Sequence, residues 1–94
     1  MQLWGRIMRG HRTQQQMTLD LPEGELPLVA KVKLCVDEMV LQMDLPRPIW
    51  FAGNEKDILD FGRTEFHQDH FIEPINFTRF ELELIDEEDK DFGL

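Results

Sequence analysis

No serine occurs anywhere in the 94 residues, and cysteine occurs once, at Cys35. The first absence removes a Ser–His–Asp triad, because the nucleophile it needs is missing. The second removes an internal disulfide framework and predicts a chain kept in a reducing compartment. No window approaches the roughly 18 consecutive apolar residues of a membrane-spanning helix. The segment Met1 to Gly10 carries Arg6 and Arg9 within its apolar stretch, unlike the uninterrupted apolar run of a signal peptide. The glycines are scattered in neither of the spacings that cradle phosphates, GxGxxG or GxxxxGK[ST]. These absences together predict a soluble, cytoplasmic protein with no cofactor.

Positive charge is scarce as well. Ten Lys and Arg stand against nineteen Asp and Glu, a formal net charge of −9. Direct binding to nucleic acid or to an anionic membrane draws on basic residues, so neither is expected. The charge is unevenly spread. Arg6, Arg9 and Arg12 face no acid in the first twelve residues, whereas Glu81, Glu83, Asp86, Glu87, Glu88, Asp89 and Asp91 face only Lys90 at the other end. A terminal acidic run of this kind suits a basic partner surface through complementary charge.

What remains is a pattern of elements adequate for one domain over 1–94, with 86–94 as its acidic C-terminal tail. Leu3, Gly5 and Ile7 alternate with Trp4, Arg6 and Met8, which predicts a strand from Gln2 to Arg9. Gln15, Met17, Leu19 and Leu21 alternate with Gln14, Gln16, Thr18 and Asp20, the period of a half-buried strand. Gly10 to Thr13 would close these two into a hairpin. Leu28, Val29, Val32, Cys35, Val36, Met39, Val40 and Met43 fill one helical stripe, although 28–36 also alternates tolerably as a strand. The long run favours a helix ending before Pro46, with Pro27 at its start. Pro46-Arg47-Pro48 precludes regular structure, and Asn54 reads as the N-cap of a short helix with Ile58, Leu59 and Phe61 on its apolar side and Gly62 at its end. Residues 63–74 read as irregular, and 75–85 as a strand with Phe80, Leu82 and Leu84 opposite Glu81 and Glu83. The expected fold is therefore α+β: a small antiparallel sheet, formed by the N-terminal hairpin and the C-terminal strand, packed against one long helix, with a second short helix. Arg6 or Arg9 would meet Glu81 or Glu83 as cross-strand pairs.

Candidate chemistry is sparse. His67, Asp69 and His70 are the residues of metal-ligand type that cluster, and Glu73 lies near them. On an extended chain His67 and His70 diverge, so no metal is assigned to them; a polar loop is the simpler reading. The same group offers acid–base chemistry only if the loop folds back. Cys35 falls on the apolar stripe and reads as a core residue rather than a nucleophile. Pro46-Arg47-Pro48-Ile49-Trp50-Phe51 forms a stiff segment whose Arg47 and Trp50 are of the types favoured at protein interfaces, beside the alternative that Trp50 closes the core.

Leu3-Trp4-Gly5-Arg6, Pro46-Arg47-Pro48-Ile49-Trp50 and Asp69-His70-Phe71-Ile72-Glu73 resemble a group of short uncharacterised proteins from anaerobic Gram-positive bacteria. The resemblance covers most of the chain, implies a bacterial cytoplasmic protein, and carries no activity with it. The functional expectation is a non-enzymatic interaction module. Its proposed contacts are Asp86, Glu87, Glu88, Asp89 and Asp91, with Arg47 and Trp50. The alternatives are a nucleic-acid-mimicking inhibitor of a nucleic-acid-binding enzyme and a metal protein or small enzyme using His67, Asp69 and His70. A homodimer through a sheet edge or Trp50 is open to it.

Overall fold

The structure is a computed structural model that describes residues 1–86. Strands β1 (Gln2–Arg9) and β2 (Arg12–Asp20) form the expected hairpin around a tight Gly10-His11 turn. Gly10 takes a positive φ of 60°, the conformation such a turn demands and glycine supplies without strain. Helix α1 (Leu28–Met43) and helix α2 (Ala52–Phe61) follow, then β3 (Arg63–Phe66), one 3-10 turn (Gln68–His70) and β4 (Arg79–Ile85).

The sheet has four antiparallel strands in the order β2-β1-β4-β3. The α+β class and the hairpin-plus-C-terminal-strand arrangement stand as expected. The long helix runs 16 residues, and its stripe Val32, Cys35, Val36, Met39, Val40 and Met43 is buried throughout. That stripe packs with Leu3, Ile7, Ile58, Phe66, Phe80 and Leu82 into one core. Each such side chain contributes on the order of 1.5–3 kcal/mol when fully buried.

Gly5 makes the close approach possible. A Cβ at this position would lie 2.6 Å from Met39 Sδ and 3.2 Å from Phe80 Cε1, so α1 sits on β1 only because the strand is bare there. The register between β1 and β2 shifts between Ile7 and Met8 because β2 carries one extra residue there, Gln14, while β1 stays in unbroken register with β4. Met8 therefore keeps the alternation, opposite Arg79 on the face away from α1 and outside the main core cluster.

Three sequence expectations are corrected. Residues 63–74 are not irregular throughout: Arg63–Phe66 is a strand that pairs with β4, held by partners far away in the chain. The last strand is shorter than 75–85, beginning at Arg79. Asn54 is not the N-cap of α2. Phe51 is, and Asn54 sits one turn inside, accepting the Phe51 N–H at Oδ1 (2.9 Å). Of the apolar side assigned to α2, Ile58 is buried while Leu59 and Phe61 are exposed. Gly62 ends the helix as expected, with φ 68° and its N–H donating to Ile58 O. No helix among the described residues is long and apolar enough to cross a membrane.

Candidate functional site

The sheet face away from α1 carries charge in register. Arg6 lies opposite Glu81, and Glu81 lies opposite Glu65. Arg6 Nε donates to Glu81 Oε1 (3.0 Å) and its Nη2 to Glu83 Oε1 (3.1 Å). Arg79 Nε donates to Glu81 Oε2 (2.7 Å) and stands 3.7 Å from Glu65 Oε2. Trp4 lies beneath Arg6, with the guanidinium carbon 4.0 Å from the ring centroid. Burial pushes the Glu81 carboxyl upward, but the Arg79 hydrogen bond and the charges of Arg6 and Arg79 outweigh it, leaving Glu81 below the ordinary glutamate value. The expected pairing of Arg6 with Glu81 and Glu83 is therefore present. Arg9 instead donates to Asn76 O.

Along the β3 edge of the sheet, α2, β3 and the 3-10 turn border an open cleft of about 460 Å³. Its floor is a closed polar network. Asn54 Nδ2 donates to Thr64 Oγ1 (2.9 Å) and to Glu65 O (3.0 Å), and Thr64 Oγ1 donates to Asp57 Oδ2 (3.1 Å). Asn54 thus holds the helix start and the free edge of β3 together. Sequence reading saw its capping type but not its reach, because the groups it binds are ten and eleven residues downstream.

His67 and His70 flank this cleft with their ring centroids 6.4 Å apart. They are near each other but occupied separately. His67 Nε2 faces Glu65 Oε1 at 3.1 Å. His70 Nδ1 accepts the backbone N–H of His67 (3.1 Å), and its ring stacks on Phe51 with centroids 4.2 Å apart. The same His70 nitrogen lies 3.0 Å from Asp69 Oδ1. A single nitrogen cannot both accept that N–H and donate to a carboxylate. The Asp69 side chain is 73% exposed. Among the described residues no three of His, Cys, Asp and Glu are placed to share a metal ion. The chemistry open to the cleft is hydrogen bonding and proton exchange at an exposed Glu65–His67 pair.

Arg47 and Trp50 lie together as neighbours in a shallow groove of about 220 Å³ with Lys33, Val36, Asp37 and Pro48. Arg47 is ion-paired with Asp37. Trp50 is half-buried, packs edge-on against Phe66 with centroids 5.0 Å apart, and carries Lys33 Nζ 5.5 Å above its ring. It therefore closes the core with one side while the other lines the groove. Asp86 is exposed, and Glu87, Glu88, Asp89 and Asp91 lie outside the described residues.

Cys35 is buried in the core stripe, its Sγ 3.5 Å from Asp20 O. Burial first, and then the charge of Asp20, push its thiol above the ordinary range. It has the environment of a packing residue rather than a nucleophile. Compared with known proteins, the chain matches no family, no curated protein and no solved structure.

Proposed function

We propose that the protein is a non-enzymatic interaction module that offers its surplus negative charge to a basic surface on a protein partner. The observation that carries this reading is where ion pairing stops. Arg6, Arg79, Lys33 and Arg47 are each engaged by a carboxylate within the fold. Glu23, Glu25, Asp44 and Glu73 are exposed and meet no cation among the described residues. Arg12, Lys31 and Arg63 make no ion pair among the described residues, yet the acids so outnumber the cations that carboxylates are left facing solvent in surplus. The run Glu87, Glu88, Asp89 and Asp91 adds to that surplus in sequence.

This distribution favours a protein partner over nucleic-acid mimicry. A mimic needs its carboxylates spaced and available, and Glu81 and Glu83 on β4 are neutralised by Arg6 and Arg79. Complementary patches raise association rates and lose strength as salt screens them, over about 8 Å at physiological ionic strength. The test is capture by the immobilised protein at low and high salt, with DNA added as competitor. Basic proteins held at low salt and released by salt support the reading. Retention that ignores salt counts against it, and displacement by DNA would narrow the partner to nucleic-acid-binding proteins.

A further inference from the structure

Strand β2 stands at one margin of the sheet, and none of the described residues pairs with its outer side. The direction of its backbone groups follows from one bond. Leu21 N–H donates to Met1 O (3.0 Å), continuing the register in which Gln2 faces Asp20. Bonded and non-bonded pairs alternate along an antiparallel ladder. Leu19, Met17 and Gln15 therefore bond inward to β1, and Asp20, Thr18 and Gln16 turn their N–H and C=O outward, the Asp20 C=O also lying 3.5 Å from Cys35 Sγ. Thr13 to Leu19 contains neither a charge nor a proline, the usual protections of an edge strand. The bulge beside Gln14 and Gln15 breaks the edge on one side and Pro22 on the other, leaving Gln16 to Asp20 as a regular template.

This template is complementary to itself about Thr18. Antiparallel pairing of two copies with Thr18 at the centre sets Gln16 opposite Asp20, and the bonding phase matches, since all three outward residues meet outward residues. On the open face, Gln16 Oε1 already accepts Trp4 Nε1–H (2.9 Å), which leaves the Gln16 amide nitrogen to donate to Asp20 of the second copy. Asp20 Oδ1 is held by Gln2 (3.1 Å), and its other oxygen faces that donor. Thr18 meets Thr18, a favourable cross-strand pair. On the helix face, Met17 meets Leu19, and both are half-buried apolar residues in the monomer. Beyond the bulge, Arg12 approaches the Glu23-Gly24-Glu25 loop of the second copy; all three charged residues are exposed and make no ion pair among the described residues.

We propose that the outer edge of β2 is a homodimer interface, joining two four-stranded sheets into one through Gln16, Thr18 and Asp20. It does not depend on the basic-partner reading. The test is sedimentation equilibrium of the full chain from about 1 μM to about 1 mM, with amide exchange at Gln16, Thr18 and Asp20. A dimer is expected whose three amides gain protection as concentration rises. Thr18→Pro removes an outward N–H and no bond to β1, so it should give a monomer with unchanged circular dichroism. Thr18→Lys, which sets two like charges together at the dyad, should do the same if the proline variant does not fold. A monomeric wild-type chain throughout this range overturns the proposal, as does a dimer in which those amides exchange freely.

Discussion

Arg6 on β1 binds Glu81 and Glu83 on β4 at once, at 3.0 and 3.1 Å, so one guanidinium ties two turns of the pleat on a neighbouring strand. Because the Arg6 and Glu81 side chains are only 19% and 15% exposed, this pair is shielded more than a surface ion pair. Glu81→Gln should destabilise the fold by about 1.5–3 kcal/mol in chemical denaturation, the range for a hydrogen bond to a charged group.

The same residue predicts an acid dependence. Glu81 is held below its unfolded value, so its stabilisation is complete above the ordinary glutamate pKa of about 4.3. It is lost as pH falls through the lower folded value, where the native carboxylate also takes up a proton. Thermal melts between pH 7 and pH 2 should show stability falling below about pH 4.3, and Glu81→Gln should flatten that fall. An unchanged slope in the variant would assign the acid dependence to other carboxylates.

Asn54 serves three groups from a position 4% exposed. Asn54→Ala leaves Phe51 N–H without its side-chain acceptor and Thr64 and Glu65 O without a donor. A loss of about 2–4 kcal/mol is expected, since deserted buried polar groups each cost about 1–3 kcal/mol. Amide exchange should rise across α2 and β3 before β1 and β2. Uniform loosening would deny Asn54 its local role.

Gly5→Ala places a methyl against Met39 and Phe80. Overpacking of this kind costs about 1–3 kcal/mol. Because the nearest atom is the sulfur of a flexible side chain, Met39→Ala should recover part of that loss in the double variant, measured by urea denaturation. Additive losses would show that the clash lies elsewhere.

Much of this fold was legible because its signals are local. The β2 alternation, the six-residue buried stripe of α1 and Gly62 as a helix stop each lie within a few residues of what they specify. Arg6 with Glu81 was legible for another reason: the opposite charges on the two strands favour their lying side by side. Strand β3 was hidden because its four residues, Arg63 to Phe66, are too few to show a period, and pairing with β4 decides them. The cleft was hidden with it. His67 and His70 were visible as residue types, but their positions follow from the 3-10 turn that joins them and from Phe51, which lies far back in the chain. The bulge at Gln14 on β2 left no mark that alternation could reveal.

The proposed interaction module rests on the surplus of solvent-facing carboxylates. Its most direct test replaces Asp86, Glu87, Glu88, Asp89 and Asp91 with Asn or Gln and compares the proteins retained by this variant and by the wild type along one salt gradient. Basic proteins that bind the wild type, elute as salt rises and fail to bind the variant are the predicted result. An identical set retained by both, at every salt concentration, would contradict it.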